Sequence, residues 1–338
     1  MAPVSVLIVN YRSTDWLLPC LESLLRNAPE LRRVVVVENA SGDGSAERIS
    51  AWAAGREAAR SLAPACLRSL WHPAQPKPLA LHRIAEGGAV DPAARLVLIE
   101  ANANRGFAAG NNIGLRHIEA CGDASDVWLL NPDTLVAPGT LAALQARMAA
   151  DPDIGTCGAE LRYLERPDRV QCLAGAWFQP RTGRARHLGE GEAAGLRHDA
   201  ATVERRLGYV IGACLLATRA YLDHVGPMDE RFFLYFEEAA WQARAANAGR
   251  RFRAGFAPAA VVYHHHHASG GRHERYLLAG RLRFARYYRP WSLPTVAAAV
   301  VVAAFRARRR GETARLRVIA SPAFWWEALL RAARAPAA

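Results

Sequence analysis

No C-x-x-C pair occurs anywhere in the chain. Its six cysteines, Cys20, Cys66, Cys121, Cys157, Cys172 and Cys214, are scattered, which argues against a zinc knuckle or a disulfide framework and reads them as small core residues in a reducing compartment. The N-terminus, MAPVSVLIVNYRS, has no basic region leading into a long apolar run, so no secretory signal is expected. The longest late apolar run, PTVAAAVVVAAF, is shorter than a bilayer crossing requires. Internal repeats, a G-x-G-x-x-G fingerprint and basic strands interleaved with aromatics are all missing. These absences leave a dinucleotide fold without specific support and set nucleic acid aside as a partner.

What is present is an ordinary globular composition with an uneven charge. The 338 residues are 51% hydrophobic, enough for two domains or for one large α/β domain with an appendage. The formal charge of +12 favours an anionic partner. Much of that charge lies late, in RHERYLLAGRLRFARYYRPW and FRARRRGETARLR. An anionic membrane surface is the reading for this basic tail, with a packed helical appendage or a dimer contact as the alternative.

Two runs rich in Val and Ile, VSVLIVN and RVVVVEN, bracket a segment with helical spacing at Leu17, Leu18, Leu21, Leu24 and Leu25, for which Ser13, Thr14 or Asp15 can serve as N-cap. Strand, helix and strand in this order predict a βαβ unit. Continuous rather than alternating hydrophobicity predicts strands covered on both faces. The pattern resumes with RLVLIE, ANANRGFAAGNNIGLRHIEAC and DVWLLNPDTLV, after an Ala/Arg/Pro-rich stretch from Trp52 to Arg95 that reads as a partly helical insertion with mobile loops. The fold class is therefore α/β, an open, doubly wound, mostly parallel sheet. Ligands of such sheets sit at the carboxyl ends of strands. Three polar clusters fall there: Asn10-Tyr11, Glu38-Asn39 and Asn131 to Asp133. Beyond Asp151 the strands shorten, and past Gly270 the chain reads as helical and basic.

Four segments carry chemistry. In LLNPDT, Asp133 lies just beyond an apolar strand with Asn131 two residues before it, a spacing that suits a divalent cation sharing a nucleotide's phosphates and that also suits a plain turn. In NANRGFAAGNNIG, glycines permit a tight turn or a close backbone approach beside amides and an arginine. The histidines His264 to His267 end a strand, where alternate side chains face opposite sides, so at most one or two can be ligands. Glu237 and Glu238 open a helix that Gly249 can stop. They serve the helix dipole or, for the one facing a crevice, act as a general base.

Taken together, VLIVNYRS, VVVENASGDGS, NRGFAAGNNIGL, LLNPDT, VGPMDERFFLYFEE and VVYHHHHAS, in this order, resemble inverting family 2 glycosyltransferases of the GT-A fold. The similarity is greatest to the rhamnosyltransferase-like and galactofuranosyltransferase-like branch. The resemblance implies a GT-A domain over residues 1–270, with a nucleotide-binding half to about 135 and an acceptor half after it, followed by a basic helical extension over 271–338. It implies that Asn10, Tyr11 and Glu38 border the nucleotide and that Asn104, Arg105, Asn111 and Asn131 lie near the nucleotide sugar. Asp133 and His264 would hold Mg²⁺ or Mn²⁺, and Glu238, with Glu237 beside it, would be the base. The implied partners are a nucleotide-diphosphate sugar donor, with deoxythymidine diphosphate rhamnose as the first choice, and a glycan or lipid-linked glycan acceptor. The implied location is cytoplasmic, peripheral at the inner face of the plasma membrane.

The chain departs from that family at Ala240, where many relatives carry a further Asp, and at Asn131, a weaker ligand than Asp. Ala240 keeps open a second reading, a catalytically degenerate nucleotide- or glycan-binding scaffold. A sugar-phosphate nucleotidyltransferase would need a Gly-rich phosphate loop after the first strand. The chain has NYRSTDW there instead.

Overall fold

The structure, a computed structural model, describes residues 2–60, 63–245, 252–265 and 271–330. Strand β1 (Val4–Asn10), helix α1 (Thr14–Asn27) and strand β2 (Arg33–Glu38) form the expected βαβ unit, with β1 and β2 parallel and buried along their whole length. Ser13 holds the N-cap of α1, but its hydroxyl donates to the Tyr11 carbonyl rather than to the helix. Helix α2 (Ser45–Ala53) follows.

The segment expected to be a partly helical insertion is organised differently. Trp52 belongs to α2, a 3-10 turn spans Ala65–Leu70, and Leu81–Ala85 forms β3, a parallel edge strand on β4 (Leu96–Glu100). Every residue of β3 keeps some contact with solvent, so it lacks the continuous apolar run that betrays the central strands. A buried ion pair staples the segment to α1. Lys77 Nζ lies 3.1 Å from Glu22 Oε1 and 3.6 Å from the centre of the Trp52 ring, whose Nε1–H donates to the same carboxylate at 2.8 Å.

The sheet continues through α3 (Phe107–Ala120), β5 (Asp126–Leu130), β6 (Thr134–Val136), α4 (Thr140–Ala149), β7 (Ile154–Tyr163) and β8 (Val170–Leu173). A hairpin of β9 (Gly175–Gln179) and β10 (Arg184–His187) leads to α5 (Ala200–Glu204), β11 (Tyr209–Val210), β12 (Cys214–Ala217), α6 (Arg219–Val225), α7 (Glu237–Ala245) and β13 (Arg253–His264). The large sheet has the order β3-β4-β2-β1-β5-β12-β7-β13-β6, with β8 beside β7, while β9, β10 and β11 form a small second sheet. It is mostly parallel, with β12 antiparallel to both β5 and β7 and β6 antiparallel to β13. Two apolar clusters lie on its opposite faces. One includes Ile8, Val36 and Trp128, and the other Leu7, Val35, Leu129 and Trp241, alternating along the strands as the pleat requires. Four cysteines are buried, as expected of small core residues, whereas Cys66 is exposed and Cys121 half-buried.

The C-terminal helices are α8 (Gly271–Tyr288), α9 (Leu293–Arg310), α10 (Thr313–Ala320) and α11 (Pro322–Trp325), followed by a π turn at Trp326–Leu330. They share a small core built on Leu278, Leu282, Val296, Val300, Ile319 and Phe324. Pro290–Arg310 is, by length and composition, the one helix among the described residues able to cross a membrane. It exceeds the apolar run seen in sequence because the helix extends at both ends beyond PTVAAAVVVAAF.

Candidate active site

Three strands deliver polar residues to one edge of the sheet. Asn10 ends β1, Glu38 ends β2 and Asn131 follows β5, so their clusters lie side by side through the β2-β1-β5 order. Asn10 is fully buried and donates to Thr14 Oγ1 at 3.4 Å, while its Oδ1 has no partner among the described residues. Glu38 accepts the Ser41 N–H at 2.9 Å and thereby shapes the turn after β2. Tyr11 is exposed, beside the Arg12 guanidinium.

Asn39 entered the sequence reading beside Glu38 at the strand end, but its bonding role was missed. It is buried, it donates to Asn104 Oδ1 at 3.2 Å and to the Gly106 carbonyl at 3.3 Å, and its own Oδ1 is unpartnered among the described residues. Two buried amide oxygens with no donor among the described residues, Asn10 Oδ1 and Asn39 Oδ1, mark this edge as a place for a ligand carrying N–H or O–H groups. Asn104 also accepts the Gly106 N–H at 2.9 Å, so it sets the turn into α3. Arg105 pairs with Glu86, and Asn111 is buried and donates to the Phe107 carbonyl of its own helix at 2.9 Å. Gly106 makes the tight turn expected of this segment. Gly110 and Gly114 instead let α3 lie directly on Val9 and Leu7 of β1.

On the far side of β5, Asp133 and His264 face each other. His264 Nε2 lies 3.4 Å from Asp133 Oδ1 and 3.3 Å from Asn131 Nδ2. Its other ring nitrogen, Nδ1, is 2.7 Å from Gln171 Oε1, an acceptor, which places the proton on Nδ1 and leaves the Nε2 lone pair toward the carboxylate. Two electron-rich atoms so arranged suit a shared divalent cation. Among the described residues no three His, Cys, Asp or Glu side chains gather as a metal group. A cation here would thus complete its shell with oxygens from a ligand and water, as Mg²⁺ commonly does. His265 points elsewhere, stacked on Trp16 and paired with Glu165. His266 and His267, and the expected helix stop Gly249, lie outside the described residues.

The acid pair opens α7, as the sequence suggested. Glu237 is buried, Glu238 half-buried, and each has an Oε2 without a partner among the described residues. Burial, with the Glu238 charge adding to it, holds the Glu237 carboxyl well above its ordinary range. Burial also raises Glu238, opposed by its own amide and that of Gly212.

The backbone ties this pair to the rest of the crevice. Gln242, one turn along α7, grips both the N–H and the carbonyl of Val210, at 2.9 and 2.8 Å. Gly212 follows, and the Ala213 carbonyl accepts the Asn131 N–H at 3.1 Å. The loop before α7 is fastened to α3 by Asn112, also missed in the sequence, which bonds the Met228 carbonyl at 2.9 Å, the Met228 N–H at 2.8 Å and Glu230. Tyr235 and Phe236 adopt φ of 68° and 72°, adjacent left-handed residues immediately before the acids. Such strain costs of order 1–3 kcal/mol per residue and persists only where neighbours enforce it. Here α8 supplies the neighbours: Tyr235 Oη is 2.7 Å from His273 Nδ1, Tyr276 stacks on Phe233, and Phe284 packs on Phe236. Ala240 is wholly buried in this apolar cluster with Phe232, Phe236 and Phe284, so a carboxylate at that position would be desolvated.

No family model matches the chain. In solved structures its architecture is similar to GalNAc-T7 with UDP, GalNAc and Mn²⁺, at a TM-score of 0.54 and 13% identity over 85% of this chain and 48% of that one. It is similar also to the mannosyltransferase PcManGT of Pyrobaculum calidifontis with GDP-Man and Mn²⁺, at 0.50 and 19% over 97% and 86%. The chain has the GT-A fold. In sequence, GT-A relatives of the kind the motifs implied are met by the N-acetylglucosaminyl-diphospho-decaprenol L-rhamnosyltransferase of Mycobacterium tuberculosis, in two strains, at 28% identity over 171 residues. The match takes in 45% of this chain and spans about half the length, 53%, of those curated relatives.

Proposed function

We propose that the chain is an inverting glycosyltransferase that moves a sugar from a nucleotide-diphosphate donor to a glycan or lipid-linked glycan. The observation that carries the reading is the backbone link, Asn131 to Ala213 and Gly212, that connects the Asp133–His264 pair to the half-buried Glu238. The rhamnosyltransferase relative favours transfer of rhamnose and a lipid-diphosphate acceptor, and deoxythymidine diphosphate remains the carrier that the sequence resemblance implies. Such an acceptor is presented at a membrane, which makes its cytoplasmic face the expected place of action.

The residues have distinct tasks. Asn10 Oδ1 and Asn39 Oδ1 offer buried acceptors to the donor's base or ribose. Asp133 and His264 would hold Mg²⁺ or Mn²⁺, which when bound supplies charge neutralisation for the departing diphosphate. Gln171 fixes the His264 tautomer. Glu238 accepts the proton of the acceptor hydroxyl while that oxygen attacks the anomeric carbon from the face opposite the diphosphate. The bond to the diphosphate oxygen breaks with its electron pair leaving on that oxygen, and configuration inverts. A carboxyl raised by burial is a stronger base once ionised.

Asp133→Ala and Glu238→Gln should each lower transfer at least about a hundredfold. Only the first should weaken Mn²⁺-dependent donor binding, read as a thermal shift. Near-normal turnover in Glu238→Gln would remove it as the base. If no donor, with or without Mn²⁺, shifts the melting of the folded protein, the degenerate scaffold becomes the better reading.

A further inference from the structure

The chain's charge is concentrated at its end. Residues 271–338 hold fourteen arginines and three glutamates, a net +11 of the chain's +12. All three glutamates are engaged, Glu274 and Glu312 with Arg315 and Glu327 with Arg275. Arg306, Arg308 and Arg309, exposed at the end of α9, have no ion pair among the described residues.

Helix α9 is apolar on two sides. Val296 and Val300 are buried in the core it shares with α8 and α10, and Ala307 further along is buried as well. On the opposite side Ala298, Val301, Val302 and Phe305 face outward, with Val302 46% and Phe305 65% exposed. Trp291, just before α9, and Trp326 in the neighbouring π turn are more than 60% exposed. A surface helix of a water-bathed protein is polar on its outer side. Here that side is apolar for two turns and then becomes a run of arginines.

We infer that this face is a docking surface for an anionic lipid bilayer, with α9 lying in the interface plane. Apolar side chains beside arginines, flanked by tryptophans, match the headgroup boundary of such a bilayer, where the acyl region accepts the first and lipid phosphates the second. A second copy of the chain fits less well, because apposing the two faces would bring their exposed arginines Arg306, Arg308 and Arg309 together. Crossing the bilayer is disfavoured as well, since it would strip Val296 and Val300 from α8 and α10. The inference stands independently of the proposed chemistry.

The test uses the full chain in co-sedimentation with phosphatidylcholine vesicles, with and without phosphatidylglycerol. Binding is expected only to the anionic vesicles and should weaken as salt rises. Val302→Glu with Phe305→Glu should lower it at least about tenfold. Arg308→Ala with Arg309→Ala and Arg310→Ala should lower it about a hundredfold. All five side chains are exposed, and an unchanged melting temperature and an unchanged Mn²⁺-dependent nucleotide shift would certify both the fold and the crevice. Wild-type protein that stays in the supernatant, or variants that bind like it, would overturn the inference. So would a dimer in light scattering that Phe305→Glu dissociates, since a second copy would then cover the face.

Discussion

Gly106→Ala should disable the crevice from a position that carries no functional group. Gly106 adopts φ 99°, ψ 179°, a backbone region open essentially to glycine. A Cβ there would lie 2.3 Å from the Phe233 carbonyl oxygen and 2.7 Å from its Cα, backbone atoms that cannot rotate away. The same carbonyl accepts the Phe107 N–H at 2.7 Å, so α3 and the acid loop touch at this point. The conformational strain is about 1–3 kcal/mol and the lost hydrogen bond about 1 kcal/mol, or roughly 2–4 kcal/mol together. At about 2–4 °C per kcal/mol for a large domain, melting should fall by roughly 4–16 °C unless the loop lifts away. If it lifts, the displacement of Glu238 should cost turnover about a hundredfold while stability recovers. Gly122→Ala is the control. Gly122 has φ 65° with nothing within 4 Å of the added carbon, so only backbone strain of about 1 kcal/mol applies. Calorimetry and turnover on the two variants decide the matter. Equal behaviour of Gly106→Ala and Gly122→Ala would refute the claim that contact with Phe233 positions the acids.

Three other outcomes are expected. Gln171→Leu should weaken Mn²⁺-dependent donor binding about 10–100-fold by freeing the His264 ring, with fold stability nearly unchanged; titration calorimetry reads it directly. Glu237→Gln should stabilise the protein at pH 8. The Glu237 carboxyl is raised in the folded chain, so its contribution is full below the ordinary value of 4.5 and is lost as pH rises through the folded value. The melting gap between variant and wild type should therefore close toward pH 4, and a gap independent of pH would contradict the assignment. Glu22→Gln should destabilise by about 3 kcal/mol in urea unfolding, since it strands the Lys77 charge beside Trp52.

The sequence by itself determined the sheet's central strands and their order of appearance, because strands buried on both faces carry short, continuous, Val- and Ile-rich runs bounded by turn residues. It also determined that Asn10, Glu38 and Asn131 end strands, that Glu237 opens a helix and that at most some of the histidines could serve one site. What it left undecided needed contacts distant in sequence. The resemblance named His264, and tertiary structure set its surroundings apart from those of His265, by placing Gln171 behind one ring and Trp16 and Glu165 against the other. Only packing distinguished buried Glu237 from half-buried Glu238, made Leu81–Ala85 an edge strand, and gave Asn39, Asn112 and Gly106 their places between the sheet, α3 and the acid loop. Periodicity reports which face of an element is apolar. It carries no record of which residues a hundred positions away that face will meet.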